Sequence, residues 1–99
     1  MNKKEIINEI INALKNEQEI EKIILFGSIL NSDHPNDIDI AILQKSTENY
    51  ISLALKYRKL LRKLSQNYPI DVFPIKNFLE ENFFLKEIQK GDVIFERGN

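Results

Sequence analysis

The chain contains no cysteine and only one histidine, His34. The first absence excludes disulfides, thiolate zinc sites and cysteine nucleophiles. The second argues against a metal cage built on imidazoles. Glycine is scarce, at Gly27, Gly91 and Gly98 only, and neither a Gly-rich Walker loop nor a Gly-x-Ser-x-Gly nucleophile elbow is present. Neither sign of charge dominates. Fourteen Lys and Arg stand against fifteen Asp and Glu, for a net charge of -1, so no nucleic-acid-coating surface and no acidic tail is expected. No stretch approaches the roughly 20 apolar residues of a membrane span. After Lys3 and Lys4 the isoleucines are interrupted by Glu5, Asn8, Glu9 and Asn12, which is not the apolar run of a signal peptide. A cytoplasmic protein is the default expectation. A calcium loop starting at Asp33 fails at Pro35, Ile38 and Gln44, where a metal-binding side chain, glycine and glutamate are required.

What is present is ordinary for a globular chain: 99 residues, 42% hydrophobic and 29% charged. A chain of this length buries roughly 65% of its unfolded surface, enough for one core. With no repeat, linker or low-complexity segment, residues 1–99 read as one domain, with no room for a separate substrate domain.

Ile6, Ile7, Ile10, Ile11 and Leu14 recur at helical spacing, predicting an amphipathic helix over about 3–16. Ile20 to Phe26 is short, β-branched and bounded by Gly27-Ser28, as a buried strand would be. Ile29 and Leu30 suggest one helical turn dipping into the core, and Asn31 to Asn36 a loop in which His34 is exposed. Residues 37–43 alternate, with Ile38, Ile40 and Ile42 on one face and Asp37, Asp39 and Ala41 on the other. Ser46 or Thr47 is the expected cap of a helix reaching about Gln66, with Tyr50, Leu53, Ala54, Tyr57, Leu60, Leu61 and Leu64 as its apolar stripe. Its Lys56, Lys59, Arg62 and Lys63 read as a solvated face, or as a partner-docking or phosphate-steering patch. Residues 69–75 read as a strand whose prolines suit an edge. Asn77 and Glu80 resemble a capping box for a helix through Leu79 and Ile88, closed by Gly91, and Asp92 to Phe95 is a last short strand.

Aspartate is disfavoured in strands, yet three of the five, Asp37, Asp39 and Asp71, fall in strand-like segments. Asp37 and Asp39 share a face with α-carbons roughly 6.7 Å apart, so both carboxylates can reach one hard cation, Mg²⁺ or Mn²⁺. Asp71 completes the set if its strand lies alongside. Three carboxylates on neighbouring strands suit a two-metal phosphoryl-transfer site. A wet strand face would also show Asp-Ile-Asp-Ile for solubility alone. Gly27-Ser28 has a similar split, between a phosphate-binding turn and a plain strand-to-helix corner.

Taken together, Leu25-Phe26-Gly27-Ser28, a short loop and Asn36-Asp37-Ile38-Asp39-Ile40-Ala41-Ile42 resemble the signature of the DNA polymerase β-like nucleotidyltransferases. That signature is hydrophobic-Gly-Ser, a spacer, then Asp-x-Asp between hydrophobics. Ile70-Asp71-Val72 resembles their third carboxylate strand. Glu87 to Phe95 is similar to the closing helix-Gly-strand of the minimal nucleotidyltransferases. The resemblance implies an α+β fold, with a small mixed sheet of three to four strands flanked by helices. It implies that Gly27 and Ser28 contact the triphosphate of ATP or another NTP, and that Asp37 and Asp39 ligate two Mg²⁺ ions. Asp71 would bind one metal and orient or deprotonate the attacking hydroxyl.

Minimal members commonly pair with a HEPN toxin, an RNase, and some silence it by attaching AMP to a tyrosine; the resemblance implies such an antitoxin. Two alternatives stay open: an antitoxin that neutralises by binding alone, and a small-molecule nucleotidyltransferase. The spacer from Ser28 to Asp37 is short, and Ile29 stands where many members carry Arg. Homo-oligomerisation is left open, and neither a membrane nor a nucleic acid is an expected partner.

Overall fold

The computed structural model describes residues 1–32, 35–76 and 83–98. The expectations for His34, Asn77, Leu79 and Glu80 lie outside these. Helix α1 (Lys3–Leu14) leads into strand β1 (Ile20–Phe26), a 3₁₀ turn (Gly27–Asn31) and strand β2 (Ile38–Gln44). Helices α2 (Tyr50–Leu60) and α3 (Arg62–Ser65), strand β3 (Ile70–Ile75), helix α4 (Phe83–Gln89) and strand β4 (Asp92–Glu96) follow. The sheet order is β3-β2-β1-β4. β1 pairs antiparallel with β2 and with β4, whereas β2 and β3 run parallel. The chain is therefore α+β with a mixed four-stranded sheet.

Pleat alternation builds a core on each face of the sheet. On one face Ile23, Leu25, Ile38, Ile40, Ile42 and Val72 pack under α1, α2 and α3 through Ile6, Ile10, Leu14, Leu53, Tyr57, Leu61 and Leu64. On the other, Ile24, Phe26 and Ala41 meet Leu85 and Ile88 of α4, with Phe73 and Ile75 at the side. Every second strand residue thus finds a helix, so β1 reads as a continuous apolar run. Ile29 is fully buried, so the turn after β1 does dip into the core.

Several local expectations are corrected. α1 begins with a capping box: Asn2 accepts from the Glu5 N–H at 2.9 Å and the Glu5 carboxylate accepts from the Asn2 N–H at 3.3 Å. α2 is capped not by Ser46 or Thr47 but by Asn49, which accepts from the Ser52 N–H at 2.9 Å. Ser46 instead caps nothing helical and bonds the Glu48 N–H. The helix expected to run to Gln66 breaks at Leu61 into α2 and α3. Tyr50 and Leu60, placed in the apolar stripe by spacing, are exposed. Lys56 is no solvated residue: it bridges Glu17 and Glu19, each at 2.9 Å. The prolines of β3 sit on an edge strand as expected, since on its outer side a missing N–H breaks no ladder. Gly91 does end α4, but not through left-handed backbone, because Gly27 alone among the described residues has positive φ. A methyl at Gly91 would press into the Leu25 carbonyl of β1, so close approach is what requires glycine there.

Candidate active site

The site forms where β1, β2 and β3 present one row on the same face. Phe26 pairs with Asp39, and Asp39 with Asp71. Parallel pairing puts Asp39 and Asp71 side by side, the condition on which Asp71 was expected to complete the set. β2 starts at Ile38 rather than at residue 37, so Asp37 lies just ahead of the pleat. It is held there by Ser28, whose hydroxyl donates to Asp37 Oδ1 at 2.8 Å. Sequence reasoning gave Ser28 a phosphate role and missed this bond, because the closure of the 28–37 loop is a tertiary fact.

Gly27 follows β1 with φ of +80°, a conformation that side chains other than glycine resist. Its α-carbon lies against the Asp39 carboxylate, so that a methyl there would collide with it. Gly27, Ser28, Asp37, Asp39 and Asp71 are thus brought together, all five as the sequence singled them out. Below them the Phe26 and Phe73 rings pack tilted, with centroids 5.7 Å apart, and give the site an apolar floor.

Asp39 is the half-buried member, while Asp37 and Asp71 are exposed. Burial raises the Asp39 carboxyl above its ordinary value, and the neighbouring charges of Asp37 and Asp71 add to the rise. Burial is the larger cause, and the crowding of the neighbouring ionised carboxylates adds to it. Among the described residues, no three carboxylates or imidazoles close into a ready-made metal cage. One Asp37 oxygen is engaged by Ser28, and Asp71 Oδ1 stands 4.0 Å from the Arg58 guanidinium of α2. The donor chemistry nonetheless fits a hard divalent cation, since it is all oxygen and all anionic.

Arg58 was not singled out from sequence. Nothing local marks it among the basic residues of α2. Only the packing of α2 along β3 aims it at Asp71. No helix among the described residues is long and apolar enough to cross a membrane.

Comparison with known proteins agrees with this geometry. The family described as polymerase beta, nucleotidyltransferase, matches residues 8–99. A Methanocaldococcus jannaschii protein named as a candidate protein adenylyltransferase is 36% identical over 104 residues, spanning 96% of this chain and all of that relative. Among solved structures, a chain from the complex of a tri-AMPylated Shewanella oneidensis HEPN toxin with its MNT antitoxin superposes with a TM-score of 0.68 at 24% identity. That match covers 95% of this chain and 72% of the other. A chain from a toxin–antitoxin structure with AMP-PNP gives a TM-score of 0.64 at 26% identity, covering 92% and 73%.

Proposed function

Because this chain belongs to the polymerase beta nucleotidyltransferase family, we propose that it transfers AMP from ATP to a hydroxyl of a HEPN-type partner protein and thereby acts as an antitoxin. The observation that carries this reading is the convergence of Asp37, Asp39 and Asp71 beside the Gly27-Ser28 turn. The names of the relatives supply the nucleotide and the partner. A cytoplasmic setting, with its ATP, fits the reaction.

The residues divide the chemistry between them. Gly27 lets the backbone turn close against the Asp39 carboxylate and would offer main-chain contact to a polyphosphate. Ser28 positions Asp37 through its hydroxyl and offers a polar contact to phosphate. Asp37 and Asp39, joined by Asp71, are the groups that would hold two Mg²⁺ ions. Such ions neutralise phosphate charge and stabilise the attacking and leaving oxygens of an in-line displacement. Asp71, exposed like Asp37, would orient the acceptor hydroxyl and take up its proton. The hydroxyl oxygen forms a bond to the α-phosphorus, the bond from that phosphorus to the bridging oxygen breaks, and pyrophosphate leaves.

Incubation with Mg²⁺, labelled ATP and a purified HEPN-type protein should label that protein. The label should be lost in Asp37→Asn and Asp39→Asn. Labelling that survives either substitution would overturn the reading. A second reading, neutralisation by binding alone, draws on Ile29 in place of an arginine after Ser28. It requires that Asp39→Asn still neutralise the partner in cells.

A further inference from the structure

Helix α2 carries two apolar stripes, and only one of them is used by the core. Leu53 and Tyr57 are buried. Ile51 and Leu55, four residues apart, are 70% and 62% exposed, and Tyr50 beside them is 51% exposed. Residues 51, 55 and 58 fall on one helix face, so this second stripe ends at Arg58 and therefore at Asp71. Single exposed leucines are ordinary, but a contiguous patch rimmed by charge marks an interaction site.

The patch is the wall of a groove between α2 and the edge strand β3. Its volume is about 280 Å³, and it is lined by Tyr50, Ile51, Leu55, Arg58, Asp71 and Phe73 among others. A second hollow of about 320 Å³, lined by Leu61, Ser65, Pro69 and Ile70, meets it at the Arg58–Asp71 pair. The carboxylate assigned to the acceptor hydroxyl thus stands at the junction of a surface too long and too apolar for a small polar acceptor. Lys59 and Arg62, next to Arg58 in the chain, are exposed and make this stretch of α2 and α3 basic, although the whole chain has a net charge of -1.

From this arrangement we infer that the α2–β3 groove docks the acceptor-bearing face of the partner protein, an apolar surface with acidic residues at its margin. The inference rests on the functional reading above for the identity of the acceptor. Charge selects the occupant. In a two-fold contact between copies of this chain through the same face, the cations of one copy would approach those of the other, whereas an acidic-rimmed partner neutralises them. The apolar stripe holds the partner, and the groove's open end delivers its hydroxyl to Asp71.

Association can be measured without nucleotide, which separates this inference from the chemistry. Binding of the HEPN-type protein used in the transfer assay is followed by calorimetry for the full chain and for Ile51→Glu, Leu55→Glu and Val93→Glu. Val93 is an exposed apolar residue on β4, at the opposite edge of the sheet. Because all three side chains are exposed, the circular dichroism spectra and thermal midpoints should match the parent. Ile51→Glu and Leu55→Glu should each weaken association roughly tenfold or more, as loss of a central contact does, and Val93→Glu should leave it unchanged. Unchanged binding in the α2 variants overturns the inference. So does a result in which they dissolve a dimer of this chain while partner binding persists. Lost binding in the α2 variants, with no AMP transfer by the parent, would sustain the docking surface and sink the catalytic reading alone.

Discussion

The α-carbon of Gly27 rests against the carboxylate of Asp39. The turn assigned to phosphate and the carboxylate assigned to metal are therefore one packed unit. Gly27→Ala forces a left-handed backbone that costs about 1–2 kcal/mol for a residue with a β-carbon, and it displaces Asp39 as well. The expected outcome is a thermal midpoint lowered by several degrees and transfer activity reduced by more than the stability loss explains. Calorimetry and labelled-ATP transfer on the same preparation check it.

Asp39 ionises against its own burial first and the charges of Asp37 and Asp71 second. Its folded pKa is raised, so the folded state holds the proton more tightly than the unfolded chain. Stability from this group is full below the ordinary carboxylate pKa and is lost as pH rises through the raised value. At pH 7 the ionised group is a liability in metal-free protein, by less than about 1 kcal/mol after solvent screening. Asp39→Asn should therefore raise the metal-free thermal midpoint by up to a few degrees at pH 7, with no gain at pH 3, while abolishing transfer. A lowered midpoint at pH 7 would contradict this account.

Glu19 joins two elements. Its carboxylate accepts from Lys56 Nζ at 2.9 Å and from the Tyr57 hydroxyl at 2.8 Å. Burial alone would raise Glu19, but these bonds outweigh it and hold the carboxyl below its ordinary value of 4.5. The resulting stability is present above that value and is lost as pH falls through the lowered pKa. Tyr57, raised by burial and by Glu19, stays neutral in the fold, and ionising it in alkali opposes folding. Tyr57→Phe keeps the ring and removes one bond to a charged acceptor, about 1–2 kcal/mol. Acid and base titrations of the midpoint should both flatten in Tyr57→Phe relative to the parent.

Arg97 closes the fold from the far end of the described chain. Nε donates to the Ile20 carbonyl at 2.9 Å, and Nη2 to those of Lys15 and Glu17 at 3.0 and 3.2 Å. The guanidinium also lies 5.3 Å from the centre of the Phe95 ring. It thus satisfies carbonyls just beyond the C-terminus of α1, where a cation is favoured. Arg97→Ala should cost about 1–3 kcal/mol, or roughly 4–8 °C per kcal/mol for a domain of this size. Hydrogen exchange should locate the loss at the α1–β1 connection.

The local rules were legible because they are local. Isoleucines at 6, 10 and 14 fix a helical face by their spacing alone. Ile38, Ile40 and Ile42 fix a strand face, and the prolines around Ile70 fix an edge. Gly27, Ser28, Asp37, Asp39 and Asp71 could be picked out because aspartate is disfavoured in strands and because their order together resembles a family signature. The cap of α2 was misplaced because Ser46, Thr47 and Asn49 all have capping side chains. Which one closes the helix depends on where the chain leaves β2, and Gln44, buried there, draws the Ser46 N–H to its own side chain at 2.6 Å.

The sequence by itself determined most of the elements, the apolar face of β2 and the residues fit for phosphoryl-transfer chemistry. Each of these follows from side-chain type and periodicity over a few residues. Only the tertiary structure decided that Asp39 and Asp71 stand in register on parallel strands, that Ser28 holds Asp37, and that Arg58 reaches Asp71. It also decided that the Ile51–Leu55 stripe of α2 is left uncovered beside the site. The physical reason is the same in each case. Contacts between residues far apart in the chain depend on how helices and strands pack, and a helix with two apolar stripes does not say in its sequence which of them the core will take.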